Sequence, residues 1–251
     1  MVLSLWGIRM KPFEDEKKIL PDYPRTRHLP YQPNASRNDL IATEKEAKII
    51  FESPNVYVEE KIDGANLGVT WVDDGPIIRN RSHILRKGYR KETAAKMQFA
   101  STWSWMYDRR ELFENLKTLA GEVSVFGEWM YAQHSIHYDR LPACFVAFDL
   151  FSHDDKDYID TGKARGYLES SGFQTTPLLH HGPVKSYKTL AELLEGTSKF
   201  STTTQREGVY IKVSDGARVT HRFKMVRKDF IAGEHWSGHS ITRNQIIPEV
   251  S

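Results

Sequence analysis

The stretch VYVEEKIDGANLGVTW, residues 56–71, sets one lysine beside an acid, a glycine and an asparagine. Val, Tyr and Thr on either side of Asp63, Gly64, Ala65 and Asn66 predict two strands joined by a turn. Gly64 is free to take positive φ, and Asp63 and Asn66 suit a tight turn, so the Lys61 side chain is expected to be fixed beside it. An amine held in this way is how a nucleophilic lysine is presented. The pattern Lys-x-Asp-Gly is short, and a solvated hairpin turn also satisfies it.

The rest of the chain supplies three further stretches with chemistry in them. VFGEW (125–129) carries Glu128, and EGVYIKV (207–213) carries Glu207 and Lys212. The basic run RFKMVRK (222–228) carries Lys224. Taken in order, Lys61-Ile62-Asp63-Gly64, Phe126-Gly127-Glu128, FVAFDLF (145–151) and Glu207 to Lys212 resemble the nucleotidyltransferase motifs of the covalent ATP-dependent RNA ligases. DNA ligases and mRNA capping enzymes belong to the same superfamily. Each motif is weak alone, and four in the right order are specific. The resemblance runs from Val56 to the C-terminus, where FIAGEHWSGHSITRNQ is similar to the tail of such a ligase domain.

The resemblance implies an α+β nucleotidyltransferase (ATP-grasp-like) domain of antiparallel sheets flanked by helices. It implies ATP and Mg2+ (or Mn2+) as cofactors, and RNA ends, nicked duplex or single-stranded, as partners. Lys61 would attack the α-phosphate of ATP and carry AMP, pass it to an RNA 5′-phosphate, and let a 3′-hydroxyl displace it. These are in-line phosphoryl transfers that need charge neutralisation more than acid–base chemistry. The implied catalytic set is Lys61, Glu128, Glu207, Lys212 and Lys224, with Glu128 and Glu207 on the metal or the ribose. Nucleotide contacts are implied for Glu60 at the adenine, Phe148 stacked on the base and Arg81 on a phosphate. Asn66, Lys61, Glu128, Lys212 and Lys224 complete that group. Free lysine titrates near pKa ~10.4, so neighbouring cations and partial burial are expected to lower the Lys61 ammonium.

Two departures from the family pattern stand out. Its last motif commonly holds two lysines one residue apart, whereas here either Arg222 or Val226 stands in for one of them, beside Lys224. Nothing follows Ser251, which leads to the expectation of a ligase without a C-terminal domain. A small ATP-dependent DNA ligase is the alternative within the superfamily. A catalytically idle RNA-end-binding module is the alternative outside enzymes, and the intact set of Lys61, Glu128, Glu207 and Lys212 argues against it.

Composition narrows the classes. The chain has 251 residues, 39% hydrophobic and 27% charged, an ordinary globular profile read as one nucleotidyltransferase domain over 1–251. A net charge of +2 does not announce nucleic-acid binding, so that claim rests on local patches. One cysteine, Cys144, excludes an internal disulfide or a cysteine-rich zinc site. No signal peptide, membrane span, phosphate loop or dinucleotide fingerprint is present in the sequence, and a cytoplasmic monomer is expected.

Along the chain, residues 1–40 are rich in Pro and Arg and read as an irregular segment laid over a body formed elsewhere. Thr43 to Glu46 fits a capping box opening a helix through Phe51, stopped by Ser53-Pro54. Arg79, Arg81, Arg86, Lys87, Arg90 and Lys91 form a cationic run suited to phosphates. Residues 92–117 read as one or two helices, with Trp103, Trp105, Met106 and Phe113 as core more readily than as base stackers. His134 and His137 lack a third metal ligand. Helices are expected over 163–171 and 188–194, ended by Gly172 and Gly196, and strands over 206–213 and 219–226 around Ser214-Asp215-Gly216.

Overall fold

The computed structural model describes residues 19–30, 39–87, 97–230 and 241–247. Stretches rich in Val, Ile, Tyr and Phe build two sheets. The first contains β1 (Arg27–His28), β2 (Val56–Lys61), β9 (Leu178–His181), β10 (Gly208–Ser214) and β11 (Val219–Val226) in the order β1-β11-β10-β2-β9. The second contains β3 (Ala65–Val72), β4 (Gly75–Asn80), β5 (Ile84–Leu85), β6 (Val123–Trp129), β7 (Phe145–Ser152) and β8 (Asp157–Tyr158), in the order β5-β4-β3-β6-β7-β8. Neighbours run antiparallel, apart from β1, which lies parallel to β11.

The expected helices form where their end signals stand. Thr43 Oγ1 accepts from the Glu46 amide at 3.2 Å while Glu46 accepts from the Thr43 amide at 2.7 Å, a complete capping box. The helix breaks at Lys48 into α1 (Glu44–Ala47) and α2 (Ile49–Glu52). Next come α3 (Thr102–Asp108), α4 (Arg110–Ala120), α5 (Thr161–Ser170) and α6 (Tyr187–Leu194). Gly172 and Gly196 follow the last two at φ +92° and +112°, a conformation that side chains resist.

Alternation along each strand sorts the side chains by face. In the first sheet Val56, Val58, Val209, Ile211, Val213 and Phe223 point outward onto Ile50, Leu190 and Leu194. In the second, Leu67, Val69, Val125 and Leu150 point outward onto Met106, Phe113, Leu116 and Leu168. Trp103 and Trp105 pack against this second core, as expected of core aromatics. Each buried Val or Leu contributes about 1.5–3 kcal/mol, so the outer faces hold the sheets and free the inner faces for polar groups.

Those inner faces carry the residues of interest. By the same period of two, Glu59 and Lys61, Tyr210 and Lys212, and Arg222 and Lys224 face the second sheet. Between the sheets lies a smaller apolar layer of Leu20, Phe126, Tyr158 and Val219, with Tyr23 packed against it. Residues 21–26 are thus irregular, as read from their prolines, although Arg27–His28 form β1, and Leu20 and Tyr23 are wedged between the two sheets.

The Lys61 turn differs from the expected hairpin. β2 pairs with β9 and β10, while β3 pairs with β4 and β6. Residues 62–64 therefore carry the chain from one sheet to the other, and Ala65 and Asn66 already belong to β3. Gly64 does not use positive φ. A Cβ there would lie 2.6 Å from Met130 Sδ and 2.8 Å from the Trp129 carbonyl, so close approach to β6 requires the glycine.

Candidate active site

A cleft of about 170 Å³ opens between the sheets where β2 leaves one for the other. Glu59, Glu60, Lys61, Tyr210 and Lys224 line it from the first sheet, and Asn66, Glu128 and Phe148 from the second. Arg81, just past β4, borders it, as do Tyr23, Pro24 and Thr26 from the N-terminal segment. Of the residues expected at the site, this gathers Glu60, Lys61, Asn66, Arg81, Glu128, Phe148 and Lys224 around one cavity.

Lys61 ends β2 opposite Gly208, one residue past Glu207. This register brings Lys61 Nζ to 2.6 and 2.7 Å from the two oxygens of Glu207. Burial alone would lower the lysine, but the Glu207 carboxylate outweighs it, helped by Asp63 and Glu128, and the pKa is raised. The expected depression of Lys61 by cations is therefore not what this arrangement produces. Lys224 is the amine that is lowered, first by burial and then by the charge of Lys61.

The acids respond in the opposite sense. Burial pushes Glu128 up to about 8 and Glu207 up to about 7, with Lys61 opposing and the neighbouring carboxylates adding to both shifts. Such carboxylates lack positive charge, and hard oxygen donors suit Mg2+ or Mn2+. Glu128 and Glu207 would thus suit a divalent ion, whose remaining ligands would have to come from outside the protein. No group of three His, Cys, Asp or Glu able to hold a metal forms among the described residues. His134 instead meets Gln98 Oε1 at 3.1 Å.

Lys212 is not brought to the cleft. Its side chain is fully buried, with Nζ 2.7 Å from Glu59, 2.9 Å from Asp149 and 2.6 Å from the Phe148 carbonyl. The carbonyl takes a hydrogen bond and the two carboxylates pair with the charge, so the ammonium is engaged away from the cleft. Arg165 pairs with Glu59 at 2.9 Å and Arg222 with Asp149 at 3.1 Å, so an alternating chain of charges spans the sheets. Arg222 is thereby engaged away from the cleft, whereas Lys224 lines it.

Phe148 and Tyr210 face each other across the cleft, ring centres 6.5 Å apart and 21° from parallel. That is close to the roughly 7 Å one interposed flat ring needs at about 3.5 Å of contact per face. Lys212 Nζ, 5.5 and 5.8 Å from the two centres, closes the buried end of this slot. Tyr210 is fixed by hydroxyl contacts with Tyr23 at 3.3 Å and with Thr26. Sequence reasoning missed Tyr23 and Thr26, because Pro-rich chain without periodicity carries no signal of where it packs.

Glu60 borders the cleft with its carboxylate turned to Ser198 and to the Lys199 amide at 3.0 Å. Glu59 shares the face of Lys61 instead, a parity that strand alternation could have revealed. Thr176, also missed, is buried at the cleft wall; its amide donates to the Ala147 carbonyl at 3.1 Å and its carbonyl accepts from Arg165 at 2.7 Å. Its hydroxyl finds no partner among the described residues.

The expected cationic run is divided. Arg79 is buried and binds the Leu20 carbonyl at 3.0 Å and Asp22, tying down the N-terminal segment. Arg81 lines the cleft, and Lys87 lies 4.8 Å from the Tyr107 ring centre. Arg90 and Lys91 lie outside the described residues, as does most of the EHW-containing tail.

Comparison with known proteins agrees with this architecture. Naegleria gruberi RNA ligase with PPi superposes with a TM-score of 0.56 at 20% identity, over 82% of this chain and 60% of that one. An apo variant of Naegleria gruberi RNA ligase R4a gives 0.55 at 16% identity, over 83% and 56%. A variant of Naegleria gruberi RNA ligase with ATP and Mn gives 0.53 at 16% identity, again over 83% and 56%. At these identities the likeness concerns the fold, and the chain spans little more than half the length of the first two ligase variants. No curated protein sequence matches. The family model described as RNA ligase matches residues 54–226, which hold β2 to β11 and every cleft-lining residue except Tyr23, Pro24 and Thr26, and the chain belongs to the RNA ligase family.

Proposed function

We propose that this chain is an ATP-dependent RNA ligase domain that carries AMP on Lys61 Nζ. The observation that supports this most directly is one cleft lined by Lys61, Lys224, Glu128 and a ring slot, with Glu207 bound to the Lys61 amine. The adenine enters between Phe148 and Tyr210, and the Thr176 hydroxyl offers its edge a hydrogen bond. Lys224 faces the phosphates, and Arg81 stands farther out for a phosphate of the RNA. A divalent ion bound at Glu128 and Glu207 supplies positive charge to the phosphates.

Lys61 gives up its proton and its nitrogen bonds the α-phosphorus, while the bond to pyrophosphate breaks. Before the reaction that proton sits on the Lys61 ammonium against Glu207, and as the amine becomes neutral the proton passes to Glu207, whose raised pKa suits it to accept. An RNA 5′-phosphate then attacks the lysyl adenylate, restoring the lysine, and a 3′-hydroxyl displaces AMP to form the phosphodiester. Buried Lys212 takes no part in these transfers and holds the sheets at the spacing the slot requires.

The test is covalent labelling with α-labelled ATP and magnesium, read on a denaturing gel. The wild-type chain takes up label on Lys61, mapped by mass spectrometry, and Lys61→Ala does not. Label undiminished in Lys61→Ala, or found on another lysine, refutes the assignment. Labelled protein incubated with nicked duplexes of RNA and of DNA then separates an RNA ligase from a DNA ligase.

A further inference from the structure

We infer that Asn244 is a positioning residue for Lys61, acting through the loop between β6 and β7 and through Asp63. The inference rests on the adenylation reading above. Asp63, two residues after Lys61, is clamped from three directions. Its Oδ2 accepts from the amides of Ser135 at 2.7 Å and Ile136 at 3.0 Å, and its own amide donates to the Tyr138 hydroxyl at 2.8 Å. The corner that carries Lys61 from one sheet to the other is therefore shaped by residues 135–138.

That loop runs outside the sheet ladder and needs another support. The segment 241–247 provides it. Asn244 Oδ1 accepts from the Tyr138 amide at 2.9 Å, while Nδ2 donates to the carbonyls of Met130 at 2.9 Å and Ala132 at 3.1 Å. One amide side chain thus joins both arms of the loop. Backbone bonds flank it, from Gln133 N to the Thr242 carbonyl at 2.8 Å and from Gln245 N to the Tyr138 carbonyl at 2.8 Å. Asn244 itself is 9% exposed.

The residue type is dictated by this pattern. An acceptor must meet Tyr138 N and two donors must meet the carbonyls, which is the inventory of a primary amide. Aspartate would set oxygen against both carbonyls, and alanine would leave three buried backbone groups unpaired. Either change loosens residues 135–138 and with them the clamp on Asp63. The slot rings and Lys224 lie on other strands and keep their places. The signature is a slower chemical step with ATP binding intact, since displacement of a reacting group by about 1 Å costs on the order of 10²-fold.

Two measurements on the full chain decide the matter, with Asn244→Ala, Asn244→Asp and Tyr138→Phe beside the wild type. Single-turnover labelling by α-labelled ATP over a concentration series gives the rate constant and the half-saturating ATP. Hydrogen exchange without nucleotide reads the Ser135 and Ile136 amides. The expected result is a rate constant about 10- to 100-fold lower at unchanged half-saturation, with faster exchange at both amides. If Asn244→Ala does not fold, Tyr138→Phe removes one hydroxyl from the middle of the same chain of contacts and carries the test. An unchanged rate in folded variants, a rate loss matched by an equal rise in half-saturating ATP, or unchanged exchange at Ser135 and Ile136 overturns the inference. Failure of the wild type to label refutes the adenylation reading, and the exchange arm still reports on the clamp.

Discussion

Lys61 and Glu207 are bound side by side, one ammonium against both oxygens of one carboxylate at 2.6 and 2.7 Å. Lys61 is thus held as an ammonium, and the carboxylate that holds it is also one of the two that suit a divalent ion. Glu207→Gln removes the partner charge and leaves the shape. The amine becomes less basic, yet AMP transfer is expected to fall by about 10²- to 10³-fold, because phosphate charge loses its organised counterpart. Magnesium titrations of labelling should show a higher half-saturating concentration in the variant than in the wild type.

Lys212 and Lys224 separate two functions that the motif spacing does not distinguish. Lys212→Met removes the cation shared by two buried acids and leaves Glu59 with Arg165 alone and Asp149 with Arg222, a loss of up to about 3–5 kcal/mol by analogy with broken buried pairs. A lowered thermal midpoint is the expected outcome. Lys224→Ala removes a cation at the cleft wall, and its expected effect is lost labelling at a midpoint near that of the wild type. Calorimetry and labelling on the same two preparations check both.

The raised carboxylates make stability depend on pH in a stated direction. An unfolded glutamate titrates near ~4.3, whereas the folded values are about 8 for Glu128 and about 7 for Glu207. Between these limits the folded state binds protons that the unfolded state has released, so their contribution is complete below the unfolded value and is lost as pH rises through about 7 and 8. In metal-free buffer the thermal midpoint of the wild type should fall from pH 5 to pH 8 more steeply than that of Glu128→Gln. Added magnesium should raise it more at pH 8 than at pH 6. Melting curves over that range check the sign.

Thr176→Val keeps the volume of the cleft wall and removes its unpartnered hydroxyl. One neutral hydrogen bond is worth about 0.5–1.5 kcal/mol. The preference for ATP over GTP in the labelling reaction should therefore drop about 3- to 10-fold, with the labelled lysine unchanged. Parallel labelling with the two nucleotides measures it.

Strands, helix ends and the outward apolar faces were legible because periodicity, the Thr43–Glu46 box and the stopping glycines each leave a local mark. The Lys61, Glu128 and Glu207 stretches were legible for the same reason, being short motifs on strands. What was not legible depends on distant partners. Nothing near Lys212 announces that Glu59 and Asp149 pair with it, although an aspartate inside FVAFDLF was a signal that some cation must be close. The turn after Lys61 reads as a hairpin until β2 and β3 are known to pair with different strands. Tyr23 and Thr26 sit in chain whose composition describes irregularity and says nothing of its burial.

The two sheets also differ in when they can be made. Every strand of the second lies within residues 65–158, whereas the first draws β1 and β2 from the start of the described chain and β9 to β11 from residues 178–226. As the chain leaves the ribosome, the second sheet can close while β2 still lacks both of its neighbours. Lys61 then stands at the end of an unpaired strand, without Glu207, Tyr210 or Lys224. Contacts of such long sequence separation form late. If Lys61 takes up nucleotide as proposed, a growing chain does so only once β11 has emerged, and completion of the cleft coincides with completion of that strand.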